Sequence, residues 1–247
     1  MTQEITIPPF HAFANWGLRV LYRLLLDLDI KGLENVPRTG PLLIVINHMH
    51  FLDPLIPTAV FRPDVFPMAK VEVFEGNWRW MFKAYGSFPV RRGEADMNAL
   101  KHAFRVLRAG HAVLMAPEGT RARTGGLQQA HEGVALIAAR ANAPILPVAE
   151  WGGREAFDDN LEKLRRTLVH VRIGAPVVVK TTERKLTRQE IRAITDEVMY
   201  SIAAMLPPEY RGVYGEVEKF APQYLLPYSM PVAENIAEKK GAMPLTN

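Results

Sequence analysis

The sequence contains no cysteine, which excludes disulfide bonds, thiolate nucleophiles, iron–sulfur clusters and cysteine-ligated zinc sites. It also has little excess of charge of one sign, because 30 lysines and arginines against 26 aspartates and glutamates leave a formal net charge of +4. This excess does not indicate a nucleic-acid partner, although it suits an anionic surface or anionic small molecules. Hydrophobic residues make up 48% of the 247 residues, a balance typical of a packed globular protein and not of a disordered chain.

No stretch is apolar over the roughly 20 residues that a membrane-spanning helix needs. The most apolar region, residues 10–28, is interrupted every four positions by a polar side chain, at His11, Asn15, Arg19, Arg23 and Asp27. On a helix this spacing predicts one narrow polar stripe on an otherwise apolar surface. Two interpretations are open. The helix packs deeply against the domain, or it lies in a membrane interface with Trp16, Tyr22 and the two arginines at the level of the headgroups.

Beyond this helix, short apolar runs alternate with helical patterns. The runs predict strands at residues 42–46, 65–68, 88–90, 111–116, 145–149 and 169–179, the last with a kink at residues 174–176. Helices are predicted to begin at Asp53-Pro54, to cover residues 94–109 and 132–141, and to run from a capping box at residues 187–190 to about Leu206. The alternation predicts an α/β fold with a mixed, mostly parallel sheet covered by helices.

The chain divides into three predicted segments. Residues 1–30 contain the N-terminal amphipathic helix, and residues 31–212 form the main domain. From Pro207 onward the chain is richer in proline, tyrosine and glycine without a clear period, and residues 213–247 are predicted to form an irregular C-terminal tail that is partly docked and frayed at its end.

A first cluster of polar residues, Asn47-His48-Met49-His50-Phe51-Leu52-Asp53, follows the predicted strand at 42–46. The end of a buried strand is where α/β proteins place functional groups. His48 and Asp53 are five residues apart, so they meet only across a loop between strand and helix. A histidine oriented by a carboxylate is a general base with a fixed tautomer. The alternative, that Asp53 caps the next helix and His48 is a satisfied core residue, is equally compatible with this cluster alone.

The second cluster, Gly86-Ser87-Phe88-Pro89-Val90-Arg91-Arg92, places two arginines just past a short strand. Guanidinium groups are planar donor forks that suit phosphate. Taken alone, however, this cluster favours an ordinary solvated strand end.

The third cluster is Pro117-Glu118-Gly119-Thr120-Arg121. Gly119 lets the backbone approach a ligand closely, and Thr120 and Arg121 supply donors for a phosphate. Glu118 either orders the arginine or accepts a hydrogen bond from a sugar or glycerol hydroxyl. The alternative is a polar turn between strand and helix.

With the apolar segment at residues 143–149 that follows, these clusters resemble the glycerolipid acyltransferase family, most closely the bacterial 1-acyl-sn-glycerol-3-phosphate acyltransferases. That family carries an N-H-x-x-x-x-D block, a G-x-x-F-x-x-R block, an E-G-T-R block and an apolar block ending in a proline strand. Here the four blocks read NHMHFLD, GSFPVRR, PEGTR and APILPVA, in that order, over roughly residues 41–152.

The resemblance implies transfer of a fatty acyl group from acyl-CoA or acyl carrier protein to the free hydroxyl of 1-acylglycerol 3-phosphate (lysophosphatidate), giving phosphatidate in phospholipid biosynthesis. Glycerol 3-phosphate and other lyso-lipids are alternative acceptors. It makes residues 31–212 an acyltransferase domain that needs no cofactor or metal besides the acyl donor. It implies His48 as the base, held by Asp53. The substrate-binding residues that it implies are Lys70, Arg91, Arg92, Glu118, Gly119, Thr120 and Arg121, with the register favouring Arg92 as the arginine of the second block.

Direct attack by the acceptor hydroxyl fits this sequence better than a covalent acyl-enzyme. Cysteine is absent, and the serines, Ser87, Ser201 and Ser229, are not in a G-x-S-x-G elbow. Because lysophospholipids and long acyl chains partition into membranes, the expected location is the cytoplasmic face of a membrane, as a peripheral or monotopic protein. This expectation favours the membrane-interface interpretation of the helix at residues 10–28.

Two other classes of protein remain as alternatives. His48 and His50 lie on the same side of an extended segment and, with Asp53, would form the metal site of a metallohydrolase, although the carboxylate comes one place late for the usual H-x-H-x-D-H run. A non-catalytic membrane-binding module would need neither His48 nor Asp53.

Overall fold

The computed structural model describes residues 5–50, 53–62, 64–92, 96–121, 125–180 and 184–230, and only the backbone of residues 154 and 155. The α-helices in this part of the chain are α1 Phe10–Leu25, α2 Leu55–Val60, α3 Arg79–Ala84, α4 Met97–Arg108, α5 Gly133–Ala141, α6 Gly153–Glu162 and α7 Arg188–Ala203. The strands are β1 Leu26–Lys31, β2 Leu42–Ile46, β3 Val65–Lys70, β4 Phe88–Val90, β5 Ala112–Met115, β6 Ile145–Trp151, β7 Thr167–Ile173, β8 Val177–Val179 and β9 Leu225–Pro227.

The strands form one sheet in the order β1-β7-β6-β2-β5-β3-β4, with β8 beside β6 and β9 beside β8. Strands β2 to β6 run parallel to their neighbours in the centre, whereas β7 and β8 run antiparallel to β6. The predicted α/β fold with a mixed, mostly parallel sheet is therefore confirmed. The five parallel strands β2 to β6 end along the same edge of the sheet, so the loops that follow them are brought together there.

Both faces of the sheet are covered by helices. Leu43 and Val45 of β2 point into a core beneath α4, α5 and α7, whereas Leu42, Ile44 and Ile46 point into a second core beneath α1, α2 and α6. Because a central parallel strand is buried on both faces, its sequence is continuously apolar instead of alternating.

Two element boundaries differ from the sequence prediction. The helix predicted over residues 10–28 ends at Leu25, because Leu26–Lys31 forms β1 and pairs in parallel with β7. The strand predicted over residues 169–179 is two strands, β7 and β8, which pair with different stretches of β6 on either side of the kink. Tertiary pairing decided both boundaries, and local periodicity contains no information about such partners.

The described part of the predicted irregular tail is docked against the domain. Residues 213–230 contain short 3-10 turns and β9, which pairs with β8. The buried carboxylate of Glu197 on α7 holds this segment by accepting hydrogen bonds from the backbone N–H groups of Gln223 (2.7 Å), Tyr224 (3.0 Å) and Leu225 (2.8 Å). The rest of the predicted tail, residues 231–247, lies outside the described residues.

The first two residues of the polar stripe of helix α1 face the protein, whereas Arg19, Arg23 and Asp27 are exposed. His11 and Asn15 are buried, each 1% exposed, and both contact Tyr85: the His11 ring lies at its carbonyl oxygen, and the Asn15 amide accepts from its hydroxyl. Arg19 donates to the carbonyl oxygen of Ala59 at 2.8 Å. The large apolar side chains on the other side are exposed: Phe13, Trp16, Val20, Leu21 and Leu24. The helix thus presents its apolar face to the outside of the molecule.

The position of Tyr22 contradicts its predicted place at the headgroup level, because this side chain is only 3% exposed and belongs to the core beneath α1. None of the helices in the described ranges combines the length and the apolarity that crossing a membrane demands.

Candidate active site

The polar clusters singled out in the sequence lie along the carboxyl edge of the central strands. His48 follows β2, Lys70 ends β3, Arg91 follows β4 and Glu118 follows β5. Because β2, β3, β4 and β5 are parallel neighbours, residues up to 70 positions apart in the chain are brought to the same end of the sheet.

His48 and Asp53 approach each other as their spacing predicts. His48 Nδ1 lies 3.5 Å from Asp53 Oδ2, an ion-pair distance that is slightly longer than a hydrogen bond. This arrangement leaves Nε2 as the nitrogen available to a substrate, and the His48 side chain lines a cavity.

Asp53 stabilises the loop that carries His48 instead of capping the next helix. Its Oδ2 atom accepts hydrogen bonds from the backbone N–H groups of Met49 (2.6 Å) and His50 (2.5 Å). Helix α2 begins at Leu55, one residue later than the predicted position of Pro54, and no side-chain cap is formed there by the preceding residue. The carboxylate therefore orders the backbone after His48 and lies beside its imidazole.

Glu118 joins the loop after β2 to the loop after β5. Its Oε1 atom accepts from the backbone N–H of His48 at 3.0 Å, and its Oε2 atom accepts from the backbone N–H of Gln128 at 2.8 Å. The side chain is 3% exposed, and this burial, with a smaller contribution from the charge of Asp53, raises its pKa from 4.5 to about 7. The predicted contacts of Glu118 with a glycerol hydroxyl or an arginine stay predictions.

Asn47, which belongs to the first cluster but received no predicted role, and Glu150, which was not singled out from the sequence, support the same loop. The Asn47 side chain donates to the Glu150 carbonyl oxygen and accepts from the Glu150 N–H, both at 2.8 Å, which extends the β2–β6 pairing by one step. The Glu150 carboxyl is fully buried and has no hydrogen-bond partner among the described residues. Burial, and secondarily the charge of Asp53, raises its pKa well above the usual value and so favours the neutral form. In the sequence, the feature that could have indicated a role for Glu150 is that it is a single acidic residue in an otherwise apolar strand.

A cavity of about 710 Å³ opens beside His48 and has the size of a small-ligand site. Its polar wall includes Arg91, Arg92 and Gly119, which were predicted, and His131, Arg188 and Arg192, which were not. The last three come from the start of α5 and from α7, so nothing in local sequence connects them with His48. Much of the remaining wall is apolar: Ile46, Met68, Val90, Leu100, Leu114, Met115, Leu136 and Ile137.

Gly119 adopts a backbone conformation that favours glycine over residues with a side chain. Its φ is +68°, in the left-handed region, and an added Cβ would lie 2.9 Å from the ring of His131. The turn is closed by a hydrogen bond from the Gly119 N–H to the Ala116 carbonyl oxygen at 3.1 Å. Any side chain at this position would intrude on the cavity wall.

The remaining predicted substrate residues lie around the cavity rather than in its wall. Thr120 and Arg121 are exposed, and Lys70 ends β3 with an exposed side chain. Partial desolvation, with a smaller contribution from the charge of Arg121 and opposed by the charge of Glu72, lowers the pKa of the Arg92 guanidinium below its usual value. Because the charges of Arg92 and Arg121 repel each other, an anion placed between them would be stabilising.

His48, His50 and Asp53 do not form a common ligand set. The His50 ring packs against Phe157, with ring centroids 4.9 Å apart, and partial burial lowers its pKa. Within the described ranges the side chains of histidine, aspartate and glutamate are not grouped by threes or more in a way that could hold a metal ion. The metallohydrolase arrangement considered from the sequence therefore has no support in the geometry.

Comparisons with known proteins confirm the resemblance seen in the four blocks. The model of the family described as Acyltransferase matches residues 27–151, half of the chain. The chain is 28% identical over 159 residues to the 1-acyl-sn-glycerol-3-phosphate acyltransferase of Bacillus subtilis, covering 62% of this chain and 79% of that protein. It is 30% identical over 128 residues to the chloroplastic 1-acyl-sn-glycerol-3-phosphate acyltransferase BAT2 of Brassica napus, covering 50% of this chain but only 37% of that protein.

The fold also has a counterpart among solved structures. The crystal structure of the 1-acyl-sn-glycerophosphate acyltransferase PlsC from Thermotoga maritima matches with a TM-score of 0.57 and 22% sequence identity. The match covers 76% of this chain and 78% of that one. At this identity the likeness establishes a shared fold.

Proposed function

The chain belongs to the Acyltransferase family, and we propose that it transfers a fatty acyl group from a thioester donor, acyl-CoA or acyl carrier protein, to the free hydroxyl of 1-acylglycerol 3-phosphate. The product would be phosphatidate, and the process phospholipid biosynthesis. The observation that carries this proposal is the approach of His48 Nδ1 to Asp53 Oδ2, at 3.5 Å, where His48 lines a cavity that is also lined by four arginines.

In the proposed reaction His48 acts as a general base. Its Nε2 atom takes the proton of the acceptor hydroxyl while that oxygen attacks the thioester carbonyl. An ester bond forms, the carbon–sulfur bond breaks, and the proton passes from His48 to the departing thiolate. Asp53 stabilises the imidazolium formed in between and keeps the ring in the tautomer that exposes Nε2.

The two kinds of wall in the cavity support this substrate. Arg91 and Arg92 present donor forks at one side, which suits the phosphate of the acceptor. The apolar part, formed mainly by β2, β5 and α5, suits a hydrocarbon chain. A substrate with a dianionic head and an apolar tail uses both walls at once.

Replacement of His48 tests the proposal. We expect His48→Ala to lower kcat by ~10²–10⁴-fold, because a positioned general base typically contributes that much. The measurement is transfer of one labelled acyl thioester to a panel of lysophosphatidate, glycerol 3-phosphate and other lyso-lipids. His170→Ala is a matched control, since His170 also pairs with an aspartate, Asp29 at 2.9 Å, but lies on β7 away from the cavity. Transfer by His48→Ala at the wild-type rate would refute the assignment of the base.

We also propose that the protein acts as a peripheral or monotopic protein at the cytoplasmic face of a membrane, through the outward apolar face of α1. Phe13 is 64% exposed, Trp16 61% and Leu24 68%, although such side chains are normally buried. Trp78 and Trp80, from the segment before and within α3, continue this surface. Aromatic rings of this kind are favoured at the boundary between headgroups and acyl chains.

Ring contacts support treating these side chains as one surface. The Phe10 ring lies 6.1 Å from Phe13 and 6.5 Å from Trp80, and the Phe13 ring lies 6.1 Å from Trp16. Trp16 and Trp80 therefore belong to a single exposed patch, and the exposed Trp78 lies two residues from Trp80 in the sequence. We name Phe10, Phe13, Trp16 and Trp80 the aromatic patch.

Point substitutions in the aromatic patch test membrane binding without disturbing the core. We expect the double variant Phe13→Ser and Trp16→Ser to bind anionic phospholipid vesicles at least about tenfold more weakly in a flotation assay, because each buried aromatic side chain contributes roughly 1.5–3 kcal/mol. Leu164→Ser is the control, since Leu164 is 94% exposed but lies outside the patch. Equal vesicle binding by both variants would contradict the proposal. Deletion of α1 is less informative, because its residue Tyr22 belongs to the core.

A further inference from the structure

A second cleft lies beside the cavity that contains His48. It has a volume of 650 Å³ and is formed by the outer side of β4 and by α4. Arg91, Asp96 and Ala99 line both the cleft and the cavity, so the two spaces adjoin at the start of α4. The proposed acyl transfer, as described, leaves this cleft without a role.

The cleft carries a concentration of positive charge. Lys101, Arg105 and Arg108 project from α4 at spacings of four and three residues, and Arg91 adds a fourth cation. Lys101, Arg105 and Arg108 are exposed, and in the described part of the chain none of the four forms an ion pair with a carboxylate. Four cations so close together repel one another unless an anion binds among them.

The acid that lines the cleft does not neutralise these cations. Asp96 is the N-cap of α4: its Oδ1 atom accepts from the backbone N–H groups of Asn98 (3.0 Å) and Ala99 (3.1 Å), and its Oδ2 atom accepts from the backbone N–H of Arg91 (2.9 Å). These hydrogen bonds lower the pKa of the carboxyl group, so it is an anion engaged with the backbone. The positive charge of the surrounding side chains therefore faces the solvent.

The floor of the cleft is aromatic and apolar. The rings of Phe88 and His102 are stacked with centroids 4.4 Å apart at an angle of 29°, and Val71, Pro89 and Phe104 complete the floor. Arg105 lies 2.9 Å from His102 Nδ1, and because a guanidinium group cannot accept, the imidazole accepts there and is neutral. Burial, with the charge of Arg105, lowers the pKa of His102 and keeps this ring uncharged at neutral pH.

We infer that this cleft binds the nucleotide end of acyl-CoA, with its phosphates on Lys101, Arg105, Arg108 and Arg91 and its adenine against the aromatic floor. The pantetheine arm would then enter the adjoining cavity and bring the thioester to His48. This inference rests on the proposed acyltransferase function and specifies its donor. Three phosphate groups and one flat base match four cations beside stacked rings. A concave site of this volume suits a small molecule better than the surface of a folded carrier protein.

Neutralising two cations of the cleft tests the inference. We expect the double variant Lys101→Gln and Arg105→Gln to raise the KM for acyl-CoA about tenfold, since exposed ion pairs contribute modestly and two are lost. The KM for lysophosphatidate, and kcat/KM with an acyl-pantetheine thioester that lacks the nucleotide, should not change. Glutamine preserves the helix. The control is the double variant Lys163→Gln and Arg165→Gln, which removes the same charges from exposed positions after α6.

Binding of adenosine 3′,5′-bisphosphate, measured by calorimetry, tests the cleft separately from catalysis. We expect the wild-type protein and the control variant to bind it, and the Lys101→Gln/Arg105→Gln variant to bind at least about tenfold more weakly. Equal binding by all three proteins, or no binding by any, would overturn the inference. A loss of activity confined to acyl carrier protein thioesters would also overturn it, in favour of an acidic carrier surface. If the wild type binds the bisphosphate but transfers from no thioester, the proposed function fails and the cleft assignment does not.

Discussion

Glu118 shows how one buried carboxyl group can hold two parts of a site in register. Each of its oxygens accepts a backbone hydrogen bond from a different loop, at His48 and at Gln128. The group is nevertheless costly to ionise where it lies, and its pKa is about 7. The same side chain is therefore a structural link and a source of pH dependence.

The pH dependence of stability should change when Glu118 becomes glutamine. In the unfolded chain the carboxyl ionises near pH 4.5, whereas in the folded chain it keeps its proton until about pH 7. The unfolded state therefore binds fewer protons between these values, and stability falls as pH rises, by about 3 kcal/mol in total. Glu118→Gln removes this contribution. We expect the difference in unfolding free energy between variant and wild type, measured by urea denaturation, to shift by that amount from pH 4.5 to 7.

Repeating the urea series at high salt provides the control, because salt screens exposed charges far more than buried ones. The shift attributed to Glu118 should persist. Stability curves that run parallel for the two proteins would show that Glu118 titrates alike in the folded and unfolded states.

At the level of single residues, the sequence allowed prediction of the His48–Asp53 approach but not of its surroundings. The spacing of the two residues required a loop, and the structure has one. The contacts of Asn47 with Glu150 depend on β2 and β6 being neighbours across 103 residues, which no local pattern specifies. Long-range polar contacts follow from topology, so they become visible only once the order of the strands is known.

At the level of elements, α1 shows what helical periodicity leaves undecided. The four-residue spacing of polar residues correctly predicted two distinct faces, but it could not say which face meets the protein. The structure buries His11 and Asn15 because Tyr85 supplies partners for both. An internal polar contact thus turned the apolar side outward, and the partner residue lies 70 or more positions away.

Helix α7 begins as predicted, with a capping box. Thr187 Oγ1 accepts from the Glu190 N–H at 3.2 Å, and the Glu190 side chain accepts from the Thr187 N–H at 2.8 Å. We expect Thr187→Ala to lower the free energy of unfolding by about 1 kcal/mol, as loss of an N-cap usually does. Chemical denaturation at neutral pH measures this change. Because Arg188 and Arg192 of the same helix line the cavity, the KM for the acceptor should also rise slightly.

Thr187→Ser separates the hydroxyl from the rest of the side chain. Serine is as good an N-cap as threonine, so this variant should keep nearly all of the wild-type stability. Equal losses in both variants would mean that packing of the threonine methyl group, and not the cap, accounts for the effect.

At the level of the whole molecule, the two ends of the parallel strands have different tasks. The carboxyl ends carry His48, Asp53 and Glu118. At the amino ends, the buried Arg62 donates two hydrogen bonds to the carboxylate of Asp64, from Nε at 2.8 Å and from Nη2 at 2.6 Å. Its third nitrogen donates to carbonyl oxygens before β2, those of Gly40 (2.9 Å) and Pro37 (3.3 Å). This network ties together the segments that enter the sheet.

Asp64→Asn should therefore affect stability without affecting catalysis. Breaking a buried ion pair by changing one partner typically costs about 3–5 kcal/mol, because the other charge stays buried. We expect a loss of at least about 3 kcal/mol in urea denaturation. At a temperature where the variant is folded, kcat should equal the wild-type value. Asp27→Asn is the matched control: Asp27 and Arg166 form an exposed pair at 3.8 Å, which contributes little. A fall in kcat for Asp64→Asn would contradict this division between the two ends.

Much of the overall architecture was predictable because apolar runs and helical patterns alternate along the chain. Strands β2 and β4 have their predicted bounds. The sequence did not predict β1, β9, α3 or α6, which are short, partly exposed or poor in apolar periodicity. β1 and β9 exist because partners in the sheet satisfy their backbone groups, a tertiary effect that propensity does not contain.

The attachment of β9 to Glu197 also bears on self-association. Strand β8 consists of three valines, and β9 covers the side of it that faces away from β6. Without that cover, a short run of strongly β-forming residues would offer unsatisfied N–H and carbonyl groups to another copy of the chain. The carboxylate that holds residues 223–225 thereby protects the protein against edge-to-edge aggregation.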